Sequence, residues 1–293
     1  MIGQAIATLV VLVTAVGVFR LGVPGAVGGS VVASCLGAVA ALVAVRHVAI
    51  RHPGGTPVSV RSVVGYGARV YPAGISGYFS YRADTLLIQA LLASSAGPLG
   101  LYSMAVTMAE LLFFIPDAVT TIFMPTVAGS TAEEANAKLG RVSRMTFLVT
   151  VACAIALVPV AWLGINIVLP AFVDCLPAFL VLLPAVVSLS LGKVMTSFIT
   201  GRGRPGPVSV GAAITLVLNL AANVILIPSY GIVGAAAASL LSYTTLALLM
   251  VGMACRMSGL SPLALIVPRK QEFLVLWNVA RRALAMAASK AGA

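Results

Sequence analysis

Apolar positions in this chain come in unbroken runs of about the length that crosses a bilayer, not in the alternation of strands or the stripes of surface helices. A hydrocarbon core of roughly 30 Å takes about 20 helical residues. Runs at 2–19, 24–45, 68–93, 99–125, 145–169, 176–200, 208–228 and 232–254 therefore predict eight spans. In lipid only helices or closed barrels satisfy every backbone group, and these runs are too long and too uniform for barrel strands. The expected fold class is all-α: a polytopic α-helical membrane bundle of about eight transmembrane helices.

Smaller patterns refine this picture. Gly25, Gly29, Ala33, Gly37 and Ala41 recur every four positions and form a smooth stripe for close helix packing. Pro72, Pro116, Pro159, Pro184 and Pro228 lie in or at the ends of spans, where a missing N–H permits a kink. The polar stretch 126–138 predicts a short surface helix. In the tail, Phe273, Trp277, Ala280 and Leu284 recur at helical spacing beside Arg281 and Arg282, the pattern of a helix lying on a membrane face.

Composition agrees: 60% of residues are apolar and 9% charged, where soluble domains carry roughly 25% charged. The net charge of +11 does not indicate nucleic acid, because no basic groove with interleaved aromatics accompanies it. The cations alternate between loops instead. Arg46, Arg51 and Arg61 lie after the second run, Lys138, Arg141 and Arg144 after the fourth, Arg202 and Arg204 after the sixth, and Arg256 after the eighth. The intervening connections lack them, and Arg20 is the exception. The positive-inside rule then places both termini in the cytoplasm, and the excess of arginine over lysine, 14 to 4, points to a GC-rich bacterial genome. The opening residues, apolar from the start with no preceding cation, read as a retained first span rather than a cleaved signal. Cys35, Cys153, Cys175 and Cys255 form no CxxC motif, and His47 and His52 have no carboxylate near them, so neither a metal nor another cofactor is expected. No phosphate-cradling GxxxxGK[ST] loop occurs. No reactive constellation of an enzyme is visible either.

Ionisable groups at membrane depth mark pathways, partners or packing devices. Arg82 and Asp84 lie two residues apart on the third run and so point to different helix faces. Arg82, with Tyr78 nearby, is a candidate anion contact, and Asp84 faces a neighbour or water. Ser103, Glu110 and Asp117 are seven apart, hence on one face. The two carboxylates are candidates for ion coupling or for an interhelical bridge to Arg82 or Lys193. Lys193 either lines a cavity or snorkels to the interface. Asn219 and Asn223, four apart, bridge helices or line a pathway.

Several stretches resemble the polysaccharide/O-antigen flippase family of the multidrug/oligosaccharidyl-lipid/polysaccharide (MOP) superfamily. They are Asp84-Thr-Leu-Leu-Ile, Gly100-Leu-Tyr-Ser-Met-Ala, Glu110-Leu-Leu-Phe-Phe-Ile-Pro116 and Met124-Pro125, then Pro170-Ala-Phe and Gly201-Arg-Gly-Arg-Pro. The most specific is Leu218-Asn-Leu-Ala-Ala-Asn-Val-Ile-Leu-Ile-Pro228-Ser-Tyr-Gly231-Ile-Val-Gly234 and the small residues after it. The resemblance implies a partial MOP/MATE-like fold, with about four N-terminal helices fewer than the family's usual two lobes. Residues 1–46 would be the last helix pair of the first lobe, 47–67 a cytoplasmic basic loop, 68–256 a second lobe of six helices, and 257–293 a cytoplasmic amphipathic tail. It further implies alternating access around a cationic cavity, with membrane lipids around the bundle. A polyprenyl-pyrophosphate-linked sugar would bind at Arg82, Lys193, Asn219, Asn223 and Tyr78, with coupling at Asp84, Glu110 or Asp117. A partner chain could supply the missing helices. The alternatives are a multidrug/cation antiporter of the same superfamily, or a non-transporting remnant or scaffold in envelope polysaccharide assembly.

Overall fold

The computed structural model describes residues 31–40, 60–92 and 97–274, with a few isolated positions besides. The predicted span 2–19, the flanks of 24–45, Arg20, the basic loop with His47 and His52, and Ala280 and Leu284 of the tail lie outside the described residues. The chain divides into two compact units, Met1–Ser62 and Val63–Ala293.

The first unit contains α1 (Val31–Ala40), a short apolar helix. Its small-residue stripe is a packed face: Gly25, Gly29 and Ala33 are buried, while Val31, Val32, Leu36 and Val39 are exposed.

The second unit is built from α2 (Val60–Leu91), α3 (Gly97–Ala128), α4 (Ala132–Val168) and α5 (Leu176–Gly201). A helical stretch of 54 residues, Pro205–Ser258, follows. At about 1.5 Å per residue that stretch would be ~80 Å long, more than twice a bilayer core. It breaks at Gly231, whose φ of 57° and ψ of −135° suit glycine alone. Residues 205–230 (α6) and 232–258 (α7) then run antiparallel. A Cβ on Gly234 would meet the Leu226 carbonyl oxygen at 2.2 Å and one on Gly211 would meet Met250 at 2.6 Å, while Asn219 reaches Ser242. The reversal makes two spans of this stretch, in agreement with the separate runs at 208–228 and 232–254.

Local signals set the other boundaries. Within α3 a 3-10 turn at Leu111–Phe113 precedes Pro116, which has no N–H for the preceding turn. Only residues 129–131 separate α3 from α4, so the predicted surface helix at 126–138 is not a separate element. Thr131 and Glu134 form a capping box that starts α4, and nothing breaks the helix before Val168. A 3-10 turn, Pro170–Cys175, leads into α5.

α5 is the centre of the unit, and Phe179, Val194, Met195, Phe198 and Ile199 on it are wholly buried. It packs on α3, α4 and α7 in two large apolar clusters. Close backbone approach needs a small residue at Gly192, whose Cβ position lies 3.3 Å from the Ala247 Cα. The opposite surface is apolar too: Val210, Ile214, Val217, Val224 and Ile225 on α6, and Ile155, Val160 and Ile167 on α4, are all exposed. A protein greasy on its outside and polar at points within is one whose solvent is lipid.

The helix ends sort by charge. Arg69, Lys138, Arg141, Arg202, Arg204 and Arg256 lie at one end of the unit; residues 169–175 and 229–231 at the other end carry no cation. At the basic end the chain after α7 folds back on α4. Gly259 takes a left-handed cap, and the short helix α8 (Pro262–Ile266) follows. Ser143 Oγ donates to the Leu265 carbonyl at 2.7 Å, and Asn136 Nδ2 to that of Ser258 at 3.2 Å.

Candidate functional site

Three carboxylates of the second unit stand in three different environments. Asp84, in the last third of α2, is 3% exposed. Its neighbours are donors without charge. Tyr102 of α3 donates to Oδ2 at 2.8 Å, Asn223 Nδ2 of α6 to Oδ1 at 2.6 Å, and Ser239 Oγ of α7 also to Oδ2. A second layer holds these in place. Asn223 Nδ2 also lies 3.0 Å from the Asn219 carbonyl oxygen and 3.1 Å from its Oδ1, Asn219 Nδ2 donates to Ser242 Oγ, and Ser242 Oγ to the Ser239 carbonyl. The cluster joins four helices, nearer the end of the unit opposite the basic one. Asn219 and Asn223 are wholly buried and bridge helices.

The second carboxylate, Asp117, faces a crevice. Its Oδ1 lies 2.6 Å from Lys193 Nζ on α5, and the ammonium also sits 4.2 Å above the Phe113 ring. Lys193 is thus held across the helix interface rather than reaching outward to the membrane surface. Two cavities meet at this pair. One, of about 490 Å³, runs toward the basic end between Gly74, Gly77, Thr121, Thr196 and Thr200. The other, of about 480 Å³, is lined by Glu110, Thr107 and Phe114. Tyr81, Asp117 and Lys193 border both.

Arg82 does not enter either cavity. It is exposed on the far side of α2 from Asp84, in a stripe with Tyr71, Ile75, Tyr78, Phe79 and Leu86, and no hydrogen bond or ion pair holds it among the described residues. Tyr78 is 64% exposed and meets the Phe79 ring edge-on. The resemblance implied a cationic cavity. Among the described residues the crevice instead sets one lysine against Glu110 and Asp117.

The third carboxylate, Glu272, was not singled out from the sequence. It is 5% exposed at the basic end, where Arg144 Nε and Nη2 reach its Oε1 at 2.7 and 2.6 Å and the Arg269 N–H donates to Oε2. These hydrogen bonds, with Arg144's the strongest influence, hold its carboxyl below the usual glutamate range. Arg144 had been read as a topology charge. Its lone carboxylate partner among the tail's cations was the available signal. Among the described residues no group of three or more potential metal ligands is found.

A bundle with an apolar exterior, four helical stretches long and apolar enough to span, and ionisable groups inside defines a polytopic membrane protein. Among solved structures the chain is similar to an outward-facing multidrug resistance MATE family transporter of the MOP superfamily, at a TM-score of 0.56 and 17% identity, over 72% of this chain and 49% of that one. It is likewise similar to a Vibrio cholerae MATE transporter, at a TM-score of 0.56 and 19% identity, over 86% of this chain and 60% of that one. The chain therefore spans about half to three-fifths of the length of these transporters, and the shared fold is a partial MOP/MATE-like one. No curated protein matches at a significant level. The profile of a family described as "Polysaccharide biosynthesis protein" matches residues 1–172, more than half of the chain. The chain belongs to that family.

Proposed function

We propose that this chain forms part or all of an exporter that carries a lipid-linked oligosaccharide or polysaccharide precursor across a bacterial plasma membrane, its basic end and both termini in the cytoplasm. Family membership is the observation that carries this reading. The exposed stripe of α2 supports it. Arg82 offers a planar fork to a pyrophosphate, and Tyr71 and Tyr78 offer aromatic faces to sugar rings. Arg82 is free of any protein carboxylate among the described residues, which suits a guanidinium kept for a substrate anion. The acyl tail would remain in lipid against the apolar exterior while the lobes rock. Asn219 and Asn223 act through the helices they join, and Lys193 from the crevice.

Depletion of the protein in its host tests this reading. Lipid-linked sugar should accumulate on the cytoplasmic leaflet, and re-expression of the Arg82→Ala variant should fail to clear it. An unchanged leaflet distribution after depletion overturns the proposal.

The crevice favours a second reading. Its excess of carboxylates, Glu110 and Asp117 against Lys193, suits a cationic cargo, as a multidrug/cation antiporter would carry. Efflux of a lipophilic cation that survives Arg82→Ala but not Glu110→Gln would decide for it.

A further inference from the structure

We propose that a groove between α3 and α4 holds one anionic phospholipid of the leaflet at the basic end. Its acyl chain lies along Ile115, Val119, Met145 and Val149, and its phosphate sits on Arg141. The site is separate from the crevice and independent of the cargo.

The sequence of the two helices builds the groove. Val142, Met145, Thr146 and Val149 recur at helical spacing and line one face of α4, and Ile115 and Val119, four apart, meet them from α3. The two helices share the short turn 129–131, and Val127, Ala135 and Leu139 near it are buried in one apolar cluster. Further from the turn the helices leave a cavity of about 380 Å³, within the size range of ligand sites. Val119 and Val142 pack against the same apolar cluster, so the walls are backed by the core. None of the lining residues borders the crevice.

The depth of the groove matches the hydrocarbon of one leaflet. Arg141 and Trp162 are both exposed on α4. The stretch between them is about 30 Å of helix, the thickness of a hydrocarbon core. Tryptophan favours a membrane interface, and an arginine at the opposite one keeps its head in the polar layer. Arg141 closes the groove at the basic end, and Val142 to Val149 run from it into that slab.

The chemistry of the walls selects the occupant. Among the described lining residues Thr146 and Arg141 alone are polar. Thr146 is buried, and its hydroxyl donates to the Val142 carbonyl at 2.8 Å. The length of the groove thus suits a chain of methylenes. Its head end is the reverse. The neighbouring cations of α4 are engaged, Arg144 with Glu272 and Lys138 with the Ser130 hydroxyl at 3.1 Å. No hydrogen bond or ion pair holds Arg141 among the described residues. A free planar guanidinium takes two phosphate oxygens at once, while its stem covers apolar wall. No carboxylate is among the described lining residues, so the ammonium of a zwitterionic lipid finds no partner and an anionic headgroup is preferred. In the orientation proposed above this is the cytoplasmic leaflet, where basic pockets between helices hold anionic lipids.

Photolabelling of the full chain in phosphatidylcholine liposomes is the test. The probe is a trace of phosphatidylglycerol with a diazirine midway along one acyl chain. Label should concentrate in residues 113–120 and 142–150. It should stand well above the exposed face of α6 at Val210, Ile214 and Val217, which reads ordinary lipid contact. Unlabelled phosphatidylglycerol should clear it, and phosphatidylethanolamine should not. Arg141→Gln should lower the groove label about tenfold, the scale of one lost charge-assisted hydrogen bond, and Arg141→Lys should restore part of it. Arg141 is exposed, so these variants leave the packing intact. Arg202→Gln, at the same end, should change nothing. Label spread evenly over α3, α4 and α6 overturns the inference. So does an equal loss in Arg202→Gln, which would mean general charge attraction. Clearance by soluble glycerol 3-phosphate would leave a headgroup site alone, and stronger clearance by a polyprenyl phosphate would make the occupant the carrier; either overturns the phospholipid assignment. An unlabelled groove means that a protein segment or a second copy covers it, and that outcome overturns the inference too. Failure of the leaflet assay for lipid-linked sugar would leave each of these readouts unchanged.

Discussion

Asp84 and Glu272 are both buried carboxylates, at 3% and 5% exposure, and their surroundings make them opposites. Glu272 lies at the basic end with a guanidinium on one oxygen and a backbone N–H on the other. Asp84 lies among α3, α6 and α7 with a phenol, a hydroxyl and an amide. A paired charge is fixed in one state and acts as a clasp. A charge dressed only by neutral donors can gain or lose a proton without losing its partners. The clasp holds the chain after α7 against α4, whereas the Asp84 cluster holds α2 to α3, α6 and α7. That second tie matters more to its helix, because among the described residues of the second unit α2 makes fewer close backbone approaches than α3 to α7 make with one another.

The largest effect should come from breaking the clasp on one side. Arg144→Met leaves a buried carboxylate without its cation and frees the Ala264 carbonyl, which Nη1 now holds at 2.5 Å. We expect a loss of about 3–5 kcal/mol, read as a lower thermal unfolding midpoint in detergent together with proteolysis within residues 259–274. Asp84→Ala should cost less, about 1–3 kcal/mol for the stranded donors of Tyr102, Asn223 and Ser239. It should loosen α2 specifically, seen as faster hydrogen exchange in residues 76–91 while α5 stays protected. If exchange instead rises evenly through the bundle, the idea that the polar cluster is the main tie of α2 is wrong.

Acid should separate the two carboxylates further. Glu272 is held below the ordinary glutamate value, roughly 4.3 when unfolded. A lowered folded value means its stabilisation is fully present above the unfolded one and fades as pH falls through the folded one. The clasp therefore opens in acid. Protection of residues 262–274 should drop with pH in the wild type, and in Glu272→Gln it should be low and independent of pH.

The sequence made one of these sites half visible and hid the other, for a physical reason. Span positions are local properties, so the runs at 99–125 and 176–200 fall inside α3 and α5, and the run at 145–169 ends one residue past α4. The hairpin at Gly231 was legible from Pro228 and the small residues after it. That Arg82 and Asp84 look to different faces followed from their two-residue separation. Which helix each side chain meets is set by the order of helices around α5, and periodicity carries no information on that. Asp84 and Asn223 are 139 residues apart, and Arg144 and Glu272 are 128 apart. Read along the chain, Arg144 is one of three loop cations and Glu272 a tail residue between Gln271 and Phe273. The capping box at Thr131 showed the opposite limit: its polar residues suggested a separate helix when they mark only the start of a long one.

The smallest effect belongs to the crevice carboxylate, Asp117. Asp117 is 57% exposed beside a lysine at 21%, so water screens the pair and Asp117→Asn should change stability by less than about 1 kcal/mol. Its consequence should lie elsewhere. With Asp117 neutral, Lys193 keeps only the Phe113 ring, and the crevice loses one of its two carboxylates. An anionic fluorescent lipid analogue should then bind the protein more tightly and a lipophilic cation more weakly, both effects fading with added salt. If neither affinity moves while the unfolding midpoint falls by several degrees, Asp117 and Lys193 are a packing bridge. The crevice charge would then have no part in choosing what enters.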